Sequence, residues 1–100
     1  MARILAVGTN PEVMTVVERL LRSQDGWMPT VRNCAEEALA LLRTETAGFD
    51  VLLLGAGLAP EQESALKTAA EALRPPVPVV AHYGGGSGLL FAEVWSTLGR

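Results

Sequence analysis

The sequence predicts an α/β fold, a parallel sheet with helices on both faces, and three observations lead there. Short aliphatic runs such as "RILAV" and "DVLLL" show no polar alternation, as expected of strands covered on both faces. Between them, apolar residues recur with the period of an amphipathic helix. The connections are short, so strand and helix alternate along residues 1–100 as one domain without an internal linker. Such alternation implies right-handed crossovers and parallel strands.

"RILAV" is the first strand and stops at "GTNPEV". Asn10 is a favoured N-cap, and Pro11 suits the first helical position, where its missing N–H is no loss. Val13, Val16, Val17, Leu20 and Leu21 form the apolar stripe of the first helix, which Asp25–Gly26 ends. "WMPTVR" is the second strand, and Pro29, unable to donate to a ladder, assigns it to a sheet edge. "NCAE" opens the second helix, with Asn33 capping and Glu36 three residues on, much like a capping box. Ala35, Ala38, Leu39 and Leu42 are its core face, and Gly48 closes the unit. "DVLLL" is the third strand. The third helix runs from Glu61 to Arg74, with Ala65, Leu66, Ala69, Ala70 and Leu73 on one face, until Pro75–Pro76 break it. "VPVVAH" is the fourth strand, where Pro78 again marks an edge. After "YGGGSG" a last helix, Leu89 to Leu98, carries Leu90, Phe91, Val94, Trp95 and Leu98 on one stripe.

Composition narrows the function. A net charge of −3, with scattered basic residues and Lys67 as the single lysine, argues against a nucleic-acid partner. Cys34 is the only cysteine, which excludes an internal disulfide and fits a reducing cytoplasm. With no evident basic group to stabilise a thiolate, it reads as a small buried hydrophobe. The first residues lack the apolar core of a signal peptide. The apolar run from Val51 to Ala59 is about half of the ~20 residues a bilayer span takes. A cytoplasmic protein without membrane contact is expected.

Four stretches carry a family resemblance. "RILAVGTNP" leads into an Asn-Pro helix start; "AEEALALL" is followed by "FDVLLLGAGLAP"; then come "RPPVPVVAH" and "LLFAEVWSTL". In that order and spacing, the chain resembles a response-regulator receiver domain, the flavodoxin-like phospho-acceptor module of two-component signalling. The resemblance implies a three-layer sandwich. A complete receiver passes through a further helix and a fifth strand before its last helix, whereas only "YGGGSG" intervenes here. A shortened sheet of four strands in the order 2-1-3-4 is therefore implied. Pro78 agrees, because a proline is tolerated on an exposed edge strand and discourages pairing with other chains.

Residue by residue, the family's chemistry does not carry over. The phospho-acceptor Asp of the resemblance falls on Gly55. The Mg²⁺-binding acids fall on Gly8 and Thr9, which supply no carboxylate for a hard dication. The switch hydroxyl falls on Ala81 or His82, and no lysine follows Lys67. The only aspartates, Asp25 and Asp50, lie at the amino edge of the sheet, while ligand chemistry in open parallel sheets occurs at the carboxyl edge. What is implied is a non-phosphorylatable pseudo-receiver with no enzymatic activity, metal or cofactor. It would act in signal transduction through a protein partner or a second copy of itself.

The candidate interface is the fourth-strand edge with the last helix: Val79, His82, Tyr83, Phe91 and Trp95. A competing reading makes the glycine-lined carboxyl edge a sensor for an anion or nucleotide. Gly8, Thr9, Gly55, Gly57 and "GGGSG" lie there, and a helix N-terminus behind a glycine loop presents free N–H groups. Yet "GGGSG" matches neither the Walker pattern nor GxGxxG, and no Lys or Arg stands nearby. The plainer expectation is that these glycines close a shortened connection and Ser87 caps the helix. His82, with no partner acid at suitable spacing, reads as structural or interfacial.

Overall fold

The computed structural model of the protein describes residues 2–44, 48–82 and 87–98, apart from the side chains of Ser87 and Leu89. The elements alternate as β1 (Ala2–Val7), α1 (Pro11–Arg22), β2 (Trp27–Arg32), α2 (Ala35–Thr44), β3 (Val51–Leu54), α3 (Pro60–Glu71), β4 (Val79–Ala81) and α4 (Ser87–Leu98). All strands are parallel and form one sheet in the order β2-β1-β3-β4. This is the shortened flavodoxin-like sandwich that the sequence predicts.

The period of two in the strands divides the core into two halves. Ile4, Ala6, Val51 and Leu53 face one side, packing with Met14, Val17 and Leu21 of α1 and with Leu90 and Val94 of α4. Leu5, Val7, Leu52 and Leu54 face the other, under Ala35, Ala38 and Leu42 of α2 and Leu66 and Ala70 of α3. Ile4, Leu5, Val7, Val51, Leu52 and Leu54 have less than 2% exposure. Burying one such aliphatic side chain stabilises the fold by about 1.5–3 kcal/mol. Continuous apolar strands are thus the signature of a sheet that neither face exposes.

Local chemistry sets the ends of the helices. Asn10 is extended (φ −100°, ψ 108°), and its Oδ1 accepts from the N–H groups of Glu12 at 3.0 Å and Val13 at 3.3 Å. Pro11 then sits in the first turn, as expected. At α3 the Ala59 N–H donates to Gln62 Oε1 at 2.8 Å. Alanine has no side-chain acceptor, so only that half of a capping box forms.

Three expectations about elements need correction. On α1 the buried stripe is Met14, Val17 and Leu21, while Val13 and Val16 are 51% and 42% exposed. The physical reason is at the carboxyl edge, where Met14 has a space to fill. The second helix starts at Ala35, and the Ala38 N–H donates to the carbonyl of Cys34 at 3.3 Å, so Cys34 and not Asn33 holds the cap position. The third helix ends at Glu71 rather than Arg74, because the Val77 N–H bonds the Ala70 carbonyl and turns the chain toward β4.

Candidate functional site

The carboxyl edge is built from the ends of β1 and β3. Their register pairs Val7 with Leu54, which brings Gly8 and Gly55 side by side just beyond the sheet. The Gly55 N–H donates to the Val7 carbonyl at 2.7 Å, and the Gly8 N–H to the Arg32 carbonyl at 3.2 Å. A Cβ on Gly8 would lie 2.6 Å from Met14 Sδ. One on Gly55 would lie 3.2 Å from the Val7 carbonyl oxygen and 3.5 Å from the same sulfur. Met14 is 3% exposed. Its thioether therefore occupies the space that a side chain on Gly8 would need, and lies at ordinary contact distance from one on Gly55.

Gly57 completes this edge. Its φ of +96° is a conformation L side chains rarely adopt, and Thr9 Oγ1 stands where a Cβ would go. Chemically, this surface offers glycine backbone, one threonine hydroxyl and a buried sulfur. A thioether donates no hydrogen bond and accepts weakly, so it neither pairs with an anion nor replaces a carboxylate at a hard dication. Among the described residues, no group of three or more His, Cys, Asp or Glu is placed to hold a metal ion.

Both aspartates are at the opposite edge. Asp50 Oδ2 accepts from the Arg3 N–H at 2.8 Å, so its carboxylate is engaged in closing the amino end of the sheet. The Arg3 guanidinium lies 4.7 Å from the centre of the Phe49 ring and donates to the Gly48 carbonyl at 2.7 Å. Asp25 lies in the turn before β2.

The fourth strand and last helix are tied by a pair the sequence does not show. The His82 N–H continues the sheet ladder to the Leu54 carbonyl at 2.8 Å. The His82 Nδ1 lies 2.6 Å from Glu93 Oε1, with the two side chains 11% and 28% exposed. Glu93 is the only charged residue in α4, the one sequence signal that marks it. Ala81, the other candidate for the switch position, is exposed and pairs with Leu54.

The candidate interface residues do not share one surface. Val79 packs against the core half beneath α2 and α3, and Phe91 against the half beneath α1 and α4. Phe91 and Trp95 both reach across to the start of β2, at the edge of the sheet remote from β4. There the buried Trp27 meets Phe91 edge-on at 6.2 Å and the tilted Trp95 ring at 5.2 Å. Trp95 remains 52% exposed. Tyr83, with Gly84 to Gly86, lies outside the described residues. Elsewhere, an apolar depression of about 500 Å³ runs between α2 and α3, lined by Leu42, Ala65, Ala69 and Leu73 among others.

Among the described residues, no helix is long and apolar enough to cross a membrane. No protein-family model matches the chain, and no curated protein matches it. Solved structures do match. One is described as the yeast Spc42 trimeric coiled coil, amino acids 181–211, fused to another structure. It shares 14% identity with this chain at a TM-score of 0.68, covering 96% of this chain and 78% of its own. At that identity the likeness shows the α/β fold alone.

Proposed function

We propose that the protein is a non-phosphorylatable pseudo-receiver: a protein-interaction module of two-component or phosphorelay-type signalling that catalyses no reaction. The observation that carries this reading is Met14 Sδ, buried against Gly8 and Gly55 where a receiver would hold its metal-binding acids and its acceptor aspartate. The pocket is filled as well as stripped of its acids. Filling by a thioether also weighs against the anion or nucleotide sensor, because a ligand there would have to expel a buried side chain. The trimeric coiled coil of the solved neighbour belongs to that fusion and supplies no partner for this chain.

An amide NMR titration with Mg²⁺ and beryllofluoride, which mimics an aspartyl phosphate, tests the reading. The resonances of Gly8, Thr9, Gly55 and Gly57 should stay in place throughout. Saturable shifts confined to those residues would overturn it and return the carboxyl edge to ligand binding.

A further inference from the structure

We infer that the free edge of β4 takes up a short extended segment of a partner protein, with an aliphatic side chain seated in the depression beside Val79. This rests on the interaction-module reading and names the chemistry of its partner.

The ladder defines that edge. The Pro78 carbonyl accepts from the Leu52 N–H, and the His82 N–H donates to the Leu54 carbonyl, so the backbone groups of the even-numbered residues of β4 face β3. Those of Val79 and Ala81 point away from it, and no described strand lies beyond β4 to receive them. Val79 is half-buried and Ala81 exposed. The other edge of the sheet differs. On β2 the Gly26 and Arg32 carbonyls accept from the Ala2 and Gly8 N–H groups, so there the odd-numbered residues face outward, Pro29 among them. Pro29 removes the middle donor of that outer row. Pro78 belongs to the inward row of β4 and leaves the outer row with its donors. One edge is closed and the other is open.

Hydrogen bonding selects the occupant. An extended backbone offers donors and acceptors at the two-residue spacing of this row, which neither a lipid nor a metal ion does. Shape refines the choice. An added strand stands about 4.8 Å beyond β4, and its residue beside Val79 projects to the same face of the sheet. On that face, toward α3, lies a depression of about 390 Å³ lined by Val77, Pro78 and Val79 and by Lys67 and Glu71. The strand side of the depression is aliphatic, and an aliphatic side chain fits it. Beside Ala81 a bare methyl group leaves room for a second large side chain two residues along. A second copy of this chain fits worse. Two-fold antiparallel pairing of β4 with itself, centred on Val80, sets the alanine of one copy beside the valine of the other and leaves the depression unfilled. β4 has three residues, so a shifted register forfeits hydrogen bonds. The fit is to a short foreign segment with alternating aliphatic residues.

Amide NMR titration of the full chain with a blocked heptapeptide of alternating leucine and threonine is the test. The same peptide with every amide N-methylated is the control. Millimolar peptide should shift the Val79, Val80, Ala81 and Lys67 amides saturably and slow hydrogen exchange at Val79 and Ala81 at least about tenfold. The N-methylated peptide should do neither. Ala81→Pro, which gives β4 the block that Pro29 gives β2, should abolish binding while leaving circular dichroism unchanged. A wild type that ignores the peptide at millimolar concentration, or binds both peptides alike, would overturn the inference. So would exchange at Val79 and Ala81 that slows with rising protein concentration in the absence of peptide, since the edge would then belong to a second copy. A spectrum silent to both the peptide and beryllofluoride refutes the edge partner alone, whereas a response to beryllofluoride refutes the interaction-module reading.

Discussion

Met14 shows how a single side chain changes what a fold can do. Its sulfur stands where a Gly8 side chain would begin, so putting an acid back there requires displacing it. Gly55→Asp should therefore fail to restore phosphoryl chemistry: the new Cβ meets the Val7 carbonyl at 3.2 Å, and Gly8 and Thr9 still offer no metal ligand. Crowding of this kind typically costs about 1–3 kcal/mol. Incubation with a small phosphodonor, followed by intact-mass measurement, should show no added phosphoryl group; a stable adduct on the variant would contradict the filled-pocket account. Gly57→Ala is a separate residue-scale test. With φ at +96° and Thr9 Oγ1 in the way, it should destabilise by roughly 1–3 kcal/mol. Each kcal/mol lowers Tm by about 4–8 °C in a domain of this size, so thermal unfolding would detect it easily.

At the scale of elements, the caps and ties are the testable parts. Asn10 accepts two backbone N–H groups at the start of α1, and Asn10→Ala should cost about 1 kcal/mol. Chemical denaturation would show a lower midpoint with the same slope; an unchanged midpoint would mean that solvent or Pro11 holds that helix start instead. The central strands β1 and β3 were legible from sequence because they are apolar on both faces, β2 and β4 because a proline marks each as an edge, and the glycines of the carboxyl edge because the β3 run ends where they begin. The phase of α1 was not. Apolar residues at 13, 14, 16, 17, 20 and 21 make a stripe wider than the buried face, and Met14 wins its place only through the two glycines brought to it by the β1–β3 register. The His82–Glu93 pair was equally hidden, since it depends on which face of the sheet α4 takes. The five interface candidates were named from two adjacent elements, but strand alternation sends Val79 to one face while the α4 aromatics reach Trp27 on the other.

For the molecule as a whole, the open question is how a four-stranded sheet manages two edges. β2 carries Pro29 and β4 is only three residues long, and both devices limit pairing with other chains. At β4 the ladder to β3 uses the Pro78 carbonyl, which accepts from the Leu52 N–H at 2.9 Å, and the His82 N–H. The intervening alternation turns the backbone groups of Val79 and Ala81 toward the free edge. Pro78 has no N–H to give, so the strand cannot lengthen toward its start. Replacing it with valine restores a donor and a β-branched side chain, and a longer, flatter edge should recruit further chains. Concentrated Pro78→Val protein should scatter more light on prolonged incubation than wild type, with Tm little changed. Adding Trp95→Glu separates this route from association through the exposed Trp95, because edge pairing does not pass through that side chain and the scattering should persist. If Pro78→Val solutions stay as clear as wild type, the shortness of β4 protects the edge without help from its proline.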